Sequence, residues 1–468
     1  MKLAVLGGGG VRSPLLVASA LRRAERIHLE EICLMDINAE KLDLLGTLCR
    51  HIARRAGAVS FGNAGSPVRI TTTTDPRQAI QGAHYIITTL RVGEEQGRVH
   101  DEVIALRHGV LGQETTGPGG FAMAMRSIPA ILAYAEMAEQ LSPGAWIFNF
   151  TNPAGLVTQA LQSRGFSRSV GICDGANQAQ AETARWLGIL PEQLRAEVFG
   201  LNHLSWTRRL YRDGVDILPE LLANENFLAQ TSQHMFDRHL IQALQMWLNE
   251  YLYYYYHAER ALHSIQADGM TRGEEVLRLN RRLLDQLHTI NPERNPEQAL
   301  QAYAAYEQRR VATYMHYAYP EGLSMEQADQ APAGPVDLSP EEGEGYAGVA
   351  LNIIEAFETG KTFYTALNVP NQEAIECMRP DDVVEVSCVV EDNAIRPLSV
   401  GAVPEHQELL MRGVKQYERL AVEAVLERSR SRAVMSLMAH PLVLSYSLAQ
   451  VLVDEYLEAH APYVGEWS

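Results

Sequence analysis

The chain has few cysteines, no long apolar run and no excess of positive charge, and each shortage excludes a class of protein. Its 468 residues include five cysteines, an odd number without regular spacing, which argues against a disulfide scaffold and favours a reducing compartment. No window approaches about 18 apolar residues without a charge, so we expect no transmembrane helix. Four successive glycines and Arg12 interrupt the first apolar run. We therefore expect no signal peptide and a cytoplasmic location.

The charge balance excludes further partners. The formal net charge of −17 at pH 7 argues against nucleic acid or an anionic membrane as a main partner, because both repel an acidic surface. A hydrophobic content of 46% and a charged content of 21% are ordinary for a globular protein with large cores. An acidic chain that binds an anionic substrate needs a local cluster of arginine side chains.

The N-terminal segment predicts a dinucleotide-binding unit. Residues 1–6 predict a buried strand, four glycines follow directly, and residues 15–26 have helical spacing. Residues 32–35 predict a second strand, which ends at Asp36. In such a unit the glycines let the backbone approach a pyrophosphate at the N-terminus of the helix. Asp36 is placed to accept both ribose hydroxyls, which favours NAD over NADP. Arg12 stands where the third glycine of the fingerprint usually lies.

Strands and helices alternate as far as about residue 173, as in a doubly wound parallel sheet. Strands are predicted at 68–71, 85–90, 145–149 and 169–173, and helices at 39–56 and 122–140. The strand at 169–173 is expected to close the nucleotide-binding sheet. Residues 112–120 form a polar, glycine-rich loop, and loops that need this much backbone freedom are usually functional.

The pattern changes beyond residue 197. It predicts strand pairing at 198–211, a turn at Asp213–Gly214, long helices at about 218–256, 273–288 and 296–316, an exposed loop at 318–345, and further helices and strands. We therefore predict an α/β protein of two domains. Residues 1–196 would form a Rossmann-type doubly wound parallel sheet, and residues 197–468 a C-terminal α+β domain.

Residues with metal-binding and acid–base chemistry follow apolar runs between Asn149 and His203. Open α/β sheets bind their ligands at such strand ends. Cys173 and His203 would make a pair of metal ligands, with Asp174 beside them as an acid or base. The alternatives are a small core cysteine and an ordinary hairpin entry at Gly200–His203.

A run of tyrosines is a second source of acid–base chemistry, since residues 251–256 read Tyr-Leu-Tyr-Tyr-Tyr-Tyr. Tyrosines at helical spacing are usually half-buried core residues, which we expect for most of this run. A tyrosine that faces the cleft could act as a base where a metal or another cation lowers its pKa.

An ordered set of motifs runs through the chain: Gly7 to Gly10, Asp36, Arg91 to Gly93, Gly112 to Gly120, Ala124 to Ser127, Asn149 to Pro153, Cys173, Asp174, Gly200 to His203, Tyr251, Thr271 and Arg272. This set strongly resembles glycoside hydrolase family 4, the NAD- and divalent-metal-dependent glycosidases. The resemblance covers the whole length, through Val369–Asn371 and Val400–Gly401, and is closest to the 6-phospho-glucosidases of that family.

Roles for individual residues follow from the resemblance. It implies that Cys173 and His203 are metal ligands, usually for manganese, that Asp174 is the general acid, and that Tyr251 is the base. The implied substrate contacts are Arg98, Asn152 and Arg272. The implied NAD site consists of Gly7, Gly8, Gly9, Gly10, Val11, Arg12, Asp36 and Arg91. A C-terminal domain of the lactate and malate dehydrogenase type and a homodimer or homotetramer are also implied.

The implied chemistry is hydrolysis assisted by a redox step, which is an exception to the two-carboxylate scheme of most glycosidases. Oxidation of the sugar at C3 by NAD+ acidifies the C2 proton, a base removes it, and the aglycone leaves C1 by elimination. Water then adds and the hydride returns. We expect 6-phospho-glucosides as substrates, with 6-phospho-beta-glucosidase activity favoured.

Three other functions remain open at this point. An NAD-dependent 2-hydroxy acid dehydrogenase would share the fold but would leave Cys173 and Tyr251 without a role. A relative within the same family would act on non-phosphorylated glycosides or alpha-galacturonides. A catalytically inactive sugar-nucleotide sensor would have no reason to keep the cysteine, aspartate, histidine and tyrosine together.

Overall fold

A computed structural model describes residues 1–60, 68–319, 324, 327 and 347–468. The strands within these ranges are β1 Lys2–Leu6, β2 Glu31–Met35, β3 Arg69–Thr73, β4 Tyr85–Thr88, β5 Trp146–Asn149, β6 Ser169–Gly171, β7 Leu194–Leu201, β8 Leu204–Arg212, β9 Val215–Asp216, β10 Trp247–Leu248, β11 Phe363–Pro370, β12 Val383–Glu391 and β13 Ala394–Pro397. Most of the exposed loop predicted at 318–345 lies outside the described residues.

The helices alternate with the first strands and then dominate the second half. They are α1 Ser13–Arg23, α2 Ala39–Ser60, α3 Pro76–Ile80, α4 Glu94–Arg107, α5 Pro118–Leu141, α6 Ala154–Ser163, α7 Gln178–Leu187, α8 Leu218–Ala223, α9 Glu225–Ala229, α10 Arg238–Leu244, α11 Tyr253–Tyr256, α12 Ala258–Asp268, α13 Arg272–Ile290, α14 Pro296–Ala312, α15 Gly348–Thr359, α16 Glu405–Glu427, α17 Arg430–Ala439, α18 Tyr446–Ala459 and α19 Ala461–Val464. None of the described helices combines the length and apolar character that crossing a membrane requires.

Nine strands of the described chain form one sheet, in the order β13-β12-β11-β6-β5-β4-β1-β2-β3. The six from β3 to β6 are parallel and have the strand order of a dinucleotide-binding fold. β4 and β5 are buried along their whole length, as in parallel sheets that helices cover on both faces. The predicted α/β class with a Rossmann-type sheet is confirmed. Its strand order reverses between β1 and β4, where such folds bind their ligands.

The strand predicted to close this sheet does not lie at its edge, so that prediction is wrong. β6 pairs with β11 through Gly171 and Asn368, and β11, β12 and β13 extend the sheet in antiparallel orientation. Gly171 permits this approach, because a Cβ there would lie 2.9 Å from the Cβ of Asn368. The sheet therefore continues beyond the boundary predicted at residues 196 and 197, and the two-domain division stays a prediction.

The single long helix predicted at 218–256 is also wrong. The structure has short helices in this range and the strand β10, which pairs with β8. Asn224 and Asp237 each accept backbone N–H groups at the start of a new helix. Gln245 ends α10 in the left-handed region, with φ of 53°. Asparagine and aspartate side chains interrupt a helix at such positions, because they offer backbone N–H groups a different hydrogen-bond partner.

The strand pairing predicted at 198–211 is confirmed as the hairpin of β7 and β8. Its two-residue turn is Asn202–His203, and the predicted turn at Asp213–Gly214 leads from β8 to β9. His203, the second residue of this turn, has a positive φ of 61°, which a type II turn requires at that position. The expected hairpin entry and the predicted metal ligand are therefore the same residue.

Candidate active site

The residues predicted for catalysis, metal binding and substrate contact all line one cavity of about 520 Å³. They are Arg98, Asn152, Cys173, Asp174, His203, Tyr251 and Arg272. From the predicted NAD site, the cavity lining includes Gly10, Val11, Arg12 and Arg91 but not Gly7, Gly8, Gly9 or Asp36. The first turn of the predicted nucleotide site and the predicted reacting groups therefore meet at residues 10–12.

The glycine turn after β1 is built for close backbone approach. Gly7 has a positive φ of 94°, and a Cβ on it would lie 2.5 Å from the carbonyl oxygen of Thr89. A Cβ on Gly8 would lie 2.7 Å from that of Leu34. Gly9 donates its N–H to Asp36 Oδ2 at 3.0 Å. The turn thus folds onto the neighbouring strands, and side chains at these glycines would block it.

Asp36 lies at the end of β2, where the sequence predicts a ribose-binding carboxylate. Its Oδ1 accepts the N–H of Asn38 at 2.9 Å, in addition to the bond from Gly9. Burial raises the pKa of Asp36, while these two N–H groups lower it. Each carboxylate oxygen has a second lone pair, so both remain able to accept a hydroxyl.

Cys173 and His203 lie side by side, although they come from different elements. Cys173 follows the end of β6, and His203 is in the β7–β8 turn. The Cys173 Sγ is 3.2 Å from the His203 Nε2. Sulfur and imidazole nitrogen are both ligands of first-row transition metals, and this separation lets one cation contact both.

The orientation of the His203 ring is set by the glycine-rich loop at 112–120. Thr115 Oγ1 lies 2.5 Å from His203 Nδ1. The Thr115 hydroxyl donates to Gln113 Oε1 at 3.0 Å, so its oxygen is left to accept the Nδ1–H of the imidazole. Nε2 then carries the lone pair that faces Cys173. Such support from a second residue is usual for histidines that bind metals.

The charge states of Cys173 and His203 depend on how deeply the two side chains are buried. Burial lowers the pKa of His203 to about 3, against a smaller opposite effect of Glu114, so the imidazole is neutral at pH 7. Burial, Glu385 and Asp174 raise the pKa of the Cys173 thiol well above its ordinary value, and a hydrogen bond with Asn202 opposes them. A thiolate at this position needs a nearby cation.

Two ligands do not complete a metal site. In the described part of the chain, no group of three or more His, Cys, Asp and Glu side chains is arranged to hold a metal ion. A cation at this pair would therefore leave coordination positions to water or substrate oxygens. Open positions of this kind are typical of catalytic rather than structural metal sites.

Tyr251 lies directly against the pair. Its ring stacks on that of His203 with centroids 3.6 Å apart and an angle of 4° between the planes. Asn249 accepts the N–H of Tyr251 at 3.0 Å, and the Tyr314 hydroxyl is 3.3 Å from that of Tyr251. Burial, Glu250 and Tyr254 raise the pKa of Tyr251 well above its ordinary value. The phenolate therefore needs a cation near it, as the sequence predicts for a base.

Asp174 follows Cys173 and precedes a short 3-10 turn at Gly175–Asn177. Its side chain is exposed to the cleft. The surrounding protein raises the pKa of the Asp174 carboxyl by desolvation, and the charge of Arg12 opposes this effect. A raised pKa is the direction that a general acid requires.

Arginine side chains concentrate in the cavity despite the acidic net charge. They are Arg12, Arg91, Arg98, Arg272 and Arg310. The carboxylate of Glu114 lies between two of them, 2.6 Å from Arg91 and 2.8 Å from Arg98. Burial alone would raise the pKa of Glu114, but these arginines bring it below its ordinary range. The local cluster of arginine that an anionic substrate requires is present.

Some residues of this site were not predicted from the sequence. Thr115 and Glu114 lie in the glycine-rich loop, whose composition was the available signal. Arg310 and Tyr314 lie at the end of the helix predicted at 296–316, where a charged residue is more often a solvated surface residue. Glu250 precedes the predicted base, and its carboxylate accepts a hydrogen bond from the Tyr314 hydroxyl.

A Rossmann-type sheet with a cavity beside it that is lined by a thiol–imidazole pair, a carboxyl and a tyrosine defines an α/β enzyme with acid–base chemistry. The sequence model of the family 4 glycosyl hydrolases matches residues 2–189, and that of the family 4 glycosyl hydrolase C-terminal domain matches residues 198–443. The chain belongs to glycosyl hydrolase family 4. It is therefore a glycoside hydrolase, and the family predicted from the motifs is confirmed.

Similar proteins share the full length of this chain. The probable 6-phospho-beta-glucosidase of Bacillus subtilis strain 168 is 29% identical over 480 residues, which cover 100% of this chain and 98% of that protein. The 6-phospho-beta-glucosidase of Escherichia coli K12 is 28% identical over 476 residues, with 99% and 96% covered. Curated relatives also include a phospho-alpha-glucosidase of Clostridium acetobutylicum, 27% identical over 485 residues, with 99% and 98% covered.

Solved structures of 6-phospho-glucosidases also match nearly the whole chain. The 6-phospho-beta-glucosidase of Thermotoga maritima, solved with manganese, NAD+ and glucose-6-phosphate, has a TM-score of 0.80 and 26% identity, with 99% of each chain covered. A 6-phospho-alpha-glucosidase from gut microorganisms, solved with NAD and glucose-6-phosphate, has a TM-score of 0.79 and 25% identity, with 100% of this chain and 99% of that chain covered.

Proposed function

We propose that this chain hydrolyses 6-phospho-glucosides, with the beta linkage favoured, and that it uses NAD+ and a divalent cation such as Mn2+. The observation that carries the proposal is the convergence of the Cys173–His203 pair, Asp174, Tyr251 and the nucleotide turn on one cavity. Relatives named for 6-phospho-glucosides, and solved relatives that hold NAD+, manganese and glucose-6-phosphate, support it. A location in the cytoplasm and a homodimer or homotetramer stay predictions.

The residues present fit both cofactors. The glycine turn packs on the neighbouring strands more closely than a Cβ atom would allow, and Asp36 keeps acceptor capacity for ribose hydroxyls. Cys173 and His203 offer two converging donors for a transition metal. When bound, the nicotinamide supplies reversible hydride transfer at C3 of the sugar, and the cation supplies Lewis-acid polarisation of the C2 and C3 oxygens.

The protein's own side chains carry the proton transfers. Tyr251 removes the C2 proton, and its stacking on His203 holds the ring over the metal-ligand pair. Asp174 gives its proton to the glycosidic oxygen as the aglycone leaves C1, since its carboxyl faces the cleft and its pKa is raised. Asn152 offers a carboxamide to the sugar hydroxyls. Water then adds across the double bond while the same two residues transfer protons in the reverse direction.

The 6-phosphate is bound by the arginines on the α13–α14 side of the cavity. Arg272 donates to the carbonyl of Arg310 at 2.8 Å. Burial lowers the pKa of Arg272 most, Glu275 opposes this effect from 3.0 Å, and Arg310 and Arg98 lower the pKa further. Like charges this close repel each other, and a phosphate placed among them relieves that repulsion through charge-assisted hydrogen bonds.

A panel of 4-nitrophenyl glucosides tests the function. With NAD+ and Mn2+ present, we expect release of nitrophenol from the 6-phosphorylated beta-glucoside and little from the unphosphorylated one. Omission of either cofactor should stop release, and no net NADH should accumulate, because the hydride returns in each turnover. Equal turnover of the unphosphorylated glycoside would favour the second substrate class, and net NADH formation would contradict the hydrolytic cycle.

Replacement of Asp36 by alanine tests the nucleotide site. We expect NAD+ binding to weaken by about 1–3 kcal/mol, the effect of losing charge-assisted hydrogen bonds to the ribose. Titration of the protein with NAD+ measures it. Asp75→Ala is the control, since Asp75 caps α3, whereas Asp36 accepts the N–H of Gly9 in the glycine turn. Wild-type protein that binds NADP+ as tightly as NAD+ would show that Asp36 does not contact the ribose.

A further inference from the structure

A buried carboxylate lies behind the proposed metal-ligand pair. Glu385, in β12, is fully buried and accepts hydrogen bonds from three neutral side chains. The donors are Asn202 Nδ2 at 3.2 Å, Asn368 Nδ2 at 3.0 Å and Ser205 Oγ at 2.8 Å. A buried carboxylate without such bonds is costly, and this one is held by residues from three different strands or turns.

One of these bonds leads to the metal-ligand pair. Asn202 precedes His203 in the β7–β8 turn, and its side chain lowers the pKa of the Cys173 thiol. Its Oδ1 accepts the N–H of Gly155 at 3.4 Å, at the start of α6. Asn368 is paired with Gly171, two residues before Cys173. Glu385 therefore contacts the turn that carries His203 directly, and it reaches the segment that carries Cys173 through Asn368.

The hydrogen bond from Ser205 connects Glu385 to the proposed base. Ser205 Oγ accepts from Asn249 Nδ2 at 3.3 Å, and the Ser205 carbonyl accepts the Asn249 N–H at 3.2 Å. Asn249 in turn accepts the backbone N–H of Tyr251. The backbone of Tyr251 is therefore connected to the carboxylate of Glu385 through Asn249 and Ser205.

We propose that Glu385 is a positioning residue that holds the metal-ligand turn and the base turn in one geometry. The inference rests on the proposed function, because it takes Cys173 and His203 as the metal site. A carboxylate suits the place for two reasons. When ionised, it only accepts hydrogen bonds, as three converging donors require. Burial raises the pKa of Glu385 to about 7, so the ionised carboxylate and a cation at the nearby pair would stabilise each other.

Glu385→Gln separates charge from shape. Glutamine has the same size, and the Ser205 hydroxyl can rotate to accept from its NH2 group, so the fold should survive. We expect the dissociation constant for Mn2+, measured by calorimetric titration of the NAD+-loaded protein without sugar, to rise about 10–100-fold. The value of kcat should fall by a similar factor, while the NAD+ affinity and the KM for the sugar stay near wild type.

Two variants show whether the effect is specific. Asp382→Asn removes another buried carboxylate close by, one that pairs with Arg419. It should lower the melting temperature and leave Mn2+ affinity unchanged. Ser205→Ala removes the hydroxyl that joins Glu385 to Asn249 and leaves Asn202 and Asn368 bonded to the carboxylate. It should reduce kcat with near-wild-type Mn2+ affinity.

Two outcomes overturn the inference in distinguishable ways. If the wild type binds Mn2+ and Cys173→Ser abolishes that binding, but Glu385→Gln binds Mn2+ like the wild type, then Glu385 does not position the site. If Cys173→Ser binds Mn2+ as tightly as the wild type, the proposed metal site itself is wrong and the inference fails with it.

Discussion

Replacement of Tyr251 by phenylalanine is expected to lower kcat by about 10²–10⁴-fold, the usual contribution of a positioned base. The substitution keeps the ring that stacks on His203 and removes only the hydroxyl that accepts the proton. The fold, NAD+ binding and Mn2+ binding should therefore survive. Steady-state kinetics with a 6-phosphorylated glucoside, together with NAD+ and Mn2+ titrations, measure these effects separately.

Tyr256→Phe is the matched control. Tyr256 belongs to the same run of tyrosines, and its hydroxyl accepts from Trp206 Nε1 at 3.2 Å outside the cavity lining. This variant should retain most of the wild-type kcat. An equal loss in both variants would mean that the tyrosine run acts through packing.

Turnover in D2O tests the same step without a mutation. Elimination followed by addition exchanges the hydrogen at C2, so the product should carry deuterium there. Direct displacement at C1 leaves C2 untouched. Nuclear magnetic resonance of the product distinguishes the two, and product that retains protium at C2 would contradict exchange at that carbon and remove the reason to assign Tyr251 as the base.

Replacement of Cys173 by serine is expected to abolish Mn2+-dependent turnover and leave NAD+ affinity nearly unchanged. The Lewis acid contributes several kcal/mol to the transition state, which corresponds to about 10³-fold or more in rate. A serine hydroxyl is a poor substitute for a thiolate ligand. Oxidation of the wild-type thiol should inactivate the enzyme for the same reason, and a chelator should do so reversibly.

Cys377→Ser is the control for this variant. Cys377 is a partly exposed free cysteine that does not line the cavity, so its loss should leave turnover and Mn2+ affinity as in the wild type. Full activity of a chelated, metal-free sample would rule out the metal assignment. Loss of NAD+ binding in Cys173→Ser would mean instead that the cysteine supports the nucleotide site.

Parts of this protein could be predicted because short segments determine them. A strand, a glycine turn, a helix and an acidic residue follow each other within residues 1–36, and that order depends on local backbone preferences and hydrophobic burial. Cys173 could be selected because it follows an apolar strand of the parallel sheet, whereas His203 comes from the turn of a hairpin in a separate sheet. The resemblance to the family then predicted that Tyr251 is the base.

The two wrong predictions of the fold also came from local patterns. Apolar and polar residues at 218–256 recur with helical spacing, but Asn224 and Asp237 start new helices there. The segment around Trp247 pairs with β8 instead. The strand at 169–173 has the pattern of a last strand, but in the structure β11, from nearly 200 residues further along the chain, pairs with it. Packing against distant segments outweighs intrinsic propensity in both places.

The sequence by itself determined the Rossmann unit and the family, and it predicted the reacting residues, because each rests on patterns of residue types along the chain. The tertiary structure decided how those residues are held. Thr115 fixes the ring of His203 across 88 positions, and Glu385 reaches Ser205 across 180. Such contacts depend on how whole elements pack and where each side chain points. Neither can be predicted from the spacing of residues within one segment.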